Sequence, residues 1–189
     1  DRIADNHRLS TSITTRLQEL EKGREIFRAS LGQMYYFADR KVTLPDETIK
    51  TGSRSELVME MAGELNDTTH ISGTAFADMQ EKAVSAGQIR VNYQDQKQRI
   101  LNLGYSQRKS EYESAHLAFA TPVTQQWTLV GAHEQDLKNE RSLETLAGLE
   151  YQSCCWKSRI AARKYLLSDN ATYDDSLFVE LELKGLGSF

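Results

Sequence analysis

In NHRLSTSITTRLQEL, residues 6 to 20, Leu9, Thr11, Ile13, Thr15 and Leu17 fall on one parity, and Arg8, Ser10, Ser12, Thr14, Arg16 and Gln18 fall on the other. Successive side chains of a strand point to opposite faces, so this alternation predicts a strand with one apolar side. The same period recurs in REIFRASLGQMYYF, where Phe27, Ala29, Leu31, Tyr35 and Phe37 oppose Arg24, Arg28 and Ser30. SELVMEMAGELN sets Leu57, Met59, Met61 and Leu65 against Glu56, Glu60 and Glu64. Near the C-terminus, DSLFVELELKGL sets Leu177, Val179, Leu181 and Leu183 against Glu180, Glu182 and Lys184. A helix would need apolar residues at i, i+3 and i+4, a spacing these windows do not sustain.

Weaker versions of the pattern appear in HISGTAFAD, AVSAGQIRVNYQ, RILNLGYSQR, SAHLAFAT, QWTLVGAHEQ, LETLAGLEYQ and WKSRIAARKYLL. Together these windows predict about eleven strands joined mostly by short polar turns. The expected fold is all-β, an antiparallel meander. Pro45 in a polar segment and Pro122 near a strand end are the chain's two prolines, as expected where ladder hydrogen bonds must be kept. A soluble sandwich also alternates, but its strands are usually about five or six residues long. Several windows here approach the roughly 9 to 11 residues that cross a bilayer at a tilt. Tyr35, Tyr36, Phe37, Trp127, Tyr151 and Trp156 gather near strand ends, where aromatic residues suit a membrane–water interface. The pattern as a whole predicts an antiparallel transmembrane β-barrel segment.

Loop length orients such a barrel, because periplasmic turns are short and external loops longer. Odd-numbered turns centre on EKG, NDTT, DQKQ, TPVTQQ and QSCC, whereas the even-numbered set contains DRKVTLPDETIKTGSR and the acidic SDNATYDD. The 38 to 54 loop is therefore expected outside, and the 151 to 155 turn and the C-terminus on the periplasmic side.

Composition narrows the function. The 189-residue chain carries a net charge of -4, without the basic stripe that nucleic acid requires. Its apolar runs are far shorter than the roughly 18 to 20 residues of a spanning helix, and its mean hydropathy is -0.57, a value that polar-in, apolar-out strands also produce. The chain begins at Asp1 with neither a methionine nor a leader-like segment, and is read as a mature segment or an interior fragment. No nucleophile elbow, zinc-protease motif or glycine-rich phosphate loop occurs. His7, His70, His116 and His133 are scattered and read as strand or loop residues. No catalytic residue, metal site or cofactor is expected.

YQSCCWKSRI, residues 151 to 160, holds both cysteines, Cys154 and Cys155. On a strand such neighbours point to opposite faces, and a ring closed between them is strained, so they are poorly arranged to bond to each other. In an oxidising compartment each would need a partner outside this chain. A pair of buried thiols is the plainer reading, and a zinc half-site a weaker one, since no histidine sits at ligand spacing.

In this order, DRIADNHRLS, GQMYYF, LNLGY, YQSCCW and ELELKGLGS resemble the C-terminal part of the lipopolysaccharide-assembly family LptD. The resemblance covers nearly the whole chain, and the double cysteine followed by an aromatic is its most specific element. It implies that residues 1–189 form the C-terminal portion of a very large outer-membrane barrel, with the periplasmic N-terminal domain and the first half of the barrel absent. It also implies lipopolysaccharide export without covalent chemistry, a lumen plugged by the lipoprotein LptE, delivery through the periplasmic bridge component LptA, and folding by the barrel-assembly machinery. Cys154 and Cys155 would both form disulfides to the periplasmic region. The barrel of this family opens sideways between its first and last strands. Here the last strand is expected over Ser176 to Gly187, presenting Leu177, Val179, Leu181 and Leu183, with Gly185 and Gly187 weakening its end.

Arg8, Arg16, Arg24, Arg28, Glu56, Glu60, Glu64, Glu180 and Glu182 lie on the polar parity and are expected to line a wet lumen, each more simply solvated than bound to plug or sugar. A passive porin is the alternative, and an outer-membrane barrel enzyme a more distant one. The double cysteine separates them, since a porin has no second domain to tether.

Overall fold

The computed structural model describes residues 7–21, 23–38, 54–79, 81–167 and 172–183. Their secondary structure is entirely β: β1 Arg8–Gln18, β2 Glu25–Tyr36, β3 Leu57–Asn66, β4 Thr69–Asp78, β5 Ala83–Gln94, β6 Ile100–Arg108, β7 Tyr112–Pro122, β8 Trp127–Asp136, β9 Arg141–Gln152, β10 Trp156–Leu166 and β11 Tyr173–Leu183. The strands follow sequence order in one antiparallel meander, as the alternation predicts.

Two compact units divide the chain. The first, residues 1–63 and 72–88, contains β1, β2 and most of β3 to β5's first half. There, Leu9, Ile13 and Leu17 of β1 lie opposite Tyr35, Leu31 and Phe27 of β2, and Leu31 and Ala29 lie opposite Met59 and Met61 of β3. A bulge between Leu17 and Gln18 brings Glu25 opposite Gln18. The turn beside it closes through Glu19 N–H to Arg24 O and Gly23 N–H to Glu19 O, both 2.8 Å, with Gly23 at φ 65°, where a side chain would be strained.

The second unit, residues 64–71 and 89–189, holds β6 to β11 in continuous register, interrupted by one bulge between Glu134 and Gln135. Several turns in the chain end on a residue with positive φ: Lys82, Gln98, Ser110 and Glu140 lie between 50° and 64°. A left-handed residue closing a short hairpin loop is the geometry that lets right-twisted strands reverse direction.

No apolar core separates two layers. Among the described residues, Ala86 and Ala161 are the buried hydrophobic ones, whereas Ile13, Leu177 and Val179 are 77%, 71% and 73% exposed. A sandwich would bury one face of every strand against a second sheet. This sheet instead leaves large aliphatic side chains exposed along its strands, the kind of surface that marks contact with a membrane or partner.

Some expected boundaries shift. The last strand begins at Tyr173 and is described to Leu183, rather than running from Ser176 to Gly187; Gly185 and Gly187 lie outside the described residues, as do 1–6, the 39–53 segment with Pro45, and 168–171. Arg24 and Glu56 fall in the links just before β2 and β3, not within strands.

Candidate functional site: two chemically distinct faces and a cysteine turn

Paired residues of an antiparallel sheet share a face, so register reveals what each side of β6 to β11 presents. One cross-strand row runs Leu101, Phe119, Gly131, Ala147, Ala162, Leu177. The next runs Thr121, Leu129, Leu149, Ile160, Val179. These rows make a nearly continuous aliphatic band.

The band has a boundary at each end. Toward the 123–126 and 153–155 turns stand Trp127, Tyr151 and Trp156. Trp127 and Tyr151 meet edge-on at 5.0 Å between ring centroids, and Tyr151 and Trp156 are tilted at 4.9 Å. Such pairs contribute about 0.5–1.5 kcal/mol beyond the area they cover. Toward the opposite ends of the strands, polar groups replace aliphatic ones on the same face. Tyr105 Oη donates to Glu113 Oε1 at 2.9 Å, His133 Nδ1 and Thr145 Oγ1 lie 2.9 Å apart, and Lys164 Nζ lies 5.1 Å over the Tyr173 ring.

The other face carries charge in columns. Glu150 of β9 lies opposite Arg159 of β10, and Arg159 opposite Glu180 of β11. Arg159 donates to Glu150 Oε2 through Nε at 3.1 Å and Nη2 at 2.7 Å, Lys157 Nζ lies 3.0 Å from Glu150 Oε1, and Arg159 Nη1 is 3.5 Å from Glu180. Arg163 clasps Glu144 with two bonds of 2.7 and 2.9 Å, the fork geometry that suits a carboxylate. Glu144 lies opposite Glu134, so Arg163 also relieves a like-charge pair. Underneath this network the sheet is tight: a Cβ on Gly148 would stand 2.7 Å from both Ala161 Cβ and Ile160 O.

Farther along the polar side, a cleft of about 480 Å³ is lined by Glu64, Asn66, His70, Asn92, Gln94 and Asn102 among others. Its rim includes the β5–β6 turn, which Asp95 organises. Its carboxylate accepts the backbone N–H groups of Lys97 and Arg99 at 3.0 and 2.9 Å and Arg99 Nε at 2.6 Å. Partial desolvation works to raise the Asp95 pKa, but the hydrogen bonds and charge of Arg99 outweigh it and hold the carboxyl below its usual value. Asp95 in turn raises the pKa of Arg99.

The residues expected on the polar parity are dispersed, not gathered into one site. Arg16 lies directly opposite Arg28, and Glu25 lies 3.5 and 3.7 Å from the two guanidiniums. Arg24 is 3.6 Å from Glu19, Arg8 donates to Met34 Sδ at 3.6 Å, and Glu60 lies opposite Ser30. Glu182 lies opposite Lys157 without an ion pair among the described residues. Ser176, Leu177, Val179, Leu181 and Leu183 all lie on β11, whose pairing is with β10. Lys157, Arg159, Arg163, Glu144 and Glu150 are not singled out by alternation; their signal is three basic residues on one parity of KSRIAAR facing acids in LETLAGLE.

Cys154 and Cys155 occupy the bend between β9 and β10, where Ser153 N–H donates to Trp156 O at 2.9 Å. Both are exposed in this segment, which does not favour the reading of buried thiols, and the opposite-face argument does not apply, because the pair sits in the turn and not on a strand. No metal-binding group of His, Cys, Asp and Glu occurs among the described residues.

An amphipathic antiparallel meander with one bare aliphatic face, ion-paired on the other, has the construction of a membrane-barrel wall. The family model for LPS transport system D, LptD, matches residues 1–134, and the chain belongs to that family. It is 35% identical over 188 residues to the LPS-assembly protein LptD of Nitrosococcus oceani, covering 100% of this chain and 26% of that protein. The LptD proteins of Hahella chejuensis and Acinetobacter baumannii are each 32% identical, over 100% and 99% of this chain and 24% of the relative in both cases. The chain thus spans about a quarter of the length of the curated relatives it matches.

Proposed function

We propose that this chain is the C-terminal wall segment of an outer-membrane barrel that assembles lipopolysaccharide at the cell surface. The observation that carries the proposal is the bare aliphatic band ending in the Trp127, Tyr151 and Trp156 cluster, immediately beside two exposed cysteines, in a chain of the LptD family. The aliphatic face meets lipid and the charged face meets water, the latter carrying Arg16, Arg28 and Glu60 in the first unit and Glu150, Arg159 and Glu180 in the second. Lipopolysaccharide passes without covalent chemistry, its sugar through the lumen and its lipid through the seam beside β11, and the chain is no enzyme.

In the parent protein a periplasmic domain and the earlier barrel strands precede this segment, LptE fills the lumen, LptA delivers the lipid, and the barrel-assembly machinery inserts the strands. The shortness of the 153–155 turn supports a periplasmic side for the cysteine turn and the C-terminus, with the aromatic cluster then at the inner interface. There Cys154 and Cys155 are each oxidised to a cysteine of the periplasmic domain, tethering delivery to export. A porin shares the wet interior but has no use for that tether.

Full-length parent protein carrying Cys154→Ser and Cys155→Ser, produced in place of the wild type, tests this reading. Surface lipopolysaccharide labelled by an impermeant probe should fall severalfold in the double variant and remain near normal in either single one. Non-reducing peptide mapping should place each cysteine on a distant partner. Normal surface labelling in the double variant, or a Cys154–Cys155 disulfide as the main species, overturns it.

A further inference from the structure

The polar face of the last three strands alternates by strand: acidic on β9 at Glu144 and Glu150, basic on β10 at Lys157, Arg159 and Arg163, and acidic again on β11 at Glu180 and Glu182. The basic column is spent mainly on β9. Arg159 and Lys157 approach Glu150 to 2.7 and 3.0 Å, and Arg163 approaches Glu144 to 2.7 Å, whereas Glu180 has the single 3.5 Å contact with Arg159. Glu182 has no ion pair among the described residues. β11 ends the sheet order, so its outer edge is a row of backbone donors and acceptors ready for another strand.

We propose that the strand which seats on β11 carries lysine or arginine at the polar-face positions opposite Glu180 and Glu182, continuing the alternation of charge. The reason is selection of register. A one-residue slip would turn every side chain to the wrong face, and a like charge directly opposite a glutamate repels while an opposite charge attracts. Two carboxylates two residues apart therefore admit a basic strand in one register and reject acidic ones.

A second copy of this chain does not meet that requirement. With polar faces kept on one side, it offers either β11 in antiparallel, acidic column against acidic column, or β1 in parallel, whose polar-parity arginines, Arg8 and Arg16, stand eight residues apart and cannot both face carboxylates two residues apart. The occupant is therefore a strand of different sequence, and on the function proposed above it is the strand of the parent barrel that closes the wall. The seam is then held partly by ion pairs in the lumen, so it is sensitive to salt.

Full-length parent protein with a photoreactive residue in place of Phe178, on the polar face of β11, tests this by mapping the strand beside it. Lysine or arginine opposite Glu180 and Glu182 is expected; neutral or acidic residues there overturn the proposal. E180K/E182K should lower the cross-link yield about fivefold, and acidic residues placed at the facing positions should restore it. Should that variant fail to fold, the isosteric E180Q/E182Q decides: a roughly twofold loss at low salt that vanishes at high salt is expected, and unchanged yield at low salt overturns the idea. A self-linked β11 would assign the edge to a second copy and likewise refute it. The readout does not depend on lipopolysaccharide, so export could fail as a reading while this inference stands.

Discussion

On the polar face of β1 and β2, Arg16 stands opposite Arg28, and one carboxylate, Glu25, reaches both from 3.5 and 3.7 Å. On the polar face of β9 and β10, Glu150 stands opposite Arg159 and holds it at 2.7 Å with Lys157 alongside. The two regions have the same alternation and the same kinds of side chain, yet register makes one pairing repulsive and the other attractive. In the first region the bulge at Leu17/Gln18 supplies the remedy, because the irregularity lets Glu25 approach both arginines. In the second no remedy is needed, and the side of β9 that carries Glu150 packs closely enough that Gly148 has no room for a methyl group. Charge in a sheet is thus organised by which residues face each other, and parity along one strand is only the first condition for it.

Substitutions that exchange the properties of the two regions test this difference. The largest effect is expected where a new Cβ would press on backbone in the second region. Gly148→Ala should cost about 1–3 kcal/mol, since its Cβ would meet backbone and Ala161, which cannot swing away, whereas Gly32→Ala, 3.3 Å from Thr11 O, should cost under about 1 kcal/mol. The urea midpoint of the folded, fast-migrating form of the full-length barrel measures both, and equal losses would remove the contrast in packing.

Next comes Glu150→Gln, which leaves Lys157 and Arg159 as neighbouring like charges. A loss of about 1–2 kcal/mol is expected, below the cost of breaking a fully buried pair because Arg159 is partly exposed. Arg28→Gln in the first region should change stability by under about 0.5 kcal/mol, because the repulsion from Arg16 that it removes and the exposed Glu25 contact that it loses offset each other. A loss as large as that of Glu150→Gln would remove the contrast in charge.

The smallest effect concerns pH. Because the Asp95 carboxyl lies below its ordinary value in the folded turn, its interaction with Arg99 is fully present above the unfolded pKa, about 3.9, and is lost as pH falls through the lower folded value. Protection of the Lys97 and Arg99 amides, taken as exchange relative to the intrinsic rate at each pH, should therefore be high at neutral pH and fall only under acid conditions. Asp95→Asn should lower that protection at neutral pH and flatten its pH dependence.

The alternation of Leu9 to Leu17, Phe27 to Leu31 and Leu177 to Leu183 made the strands and their apolar face legible, because side-chain direction on a strand depends on local backbone geometry alone. Parity predicts Arg24 and Glu56 within strands because it continues past the point where the ladder stops. The Glu150, Arg159 and Glu180 column was not legible for a different reason. It joins residues 150, 159 and 180, and their coincidence depends on turn lengths that alternation within one strand does not report. The exposed setting of Cys154 and Cys155 depended likewise on where β9 ends, two residues before the first of them.

The central claim, that the bare aliphatic face meets lipid and the charged face meets water, is tested most directly with spin labels on the full-length protein in bilayers. Leu129 and Ile160 lie on the aliphatic face, and Val130 and Ala132 on the charged one, so all four native residues are apolar and hydropathy alone does not distinguish them. Labels at 129 and 160 should be reached by molecular oxygen dissolved in the bilayer and shielded from a water-soluble nickel chelate, and labels at 130 and 132 should show the reverse. Equal accessibility at the four positions, or the opposite assignment of faces, would contradict the account.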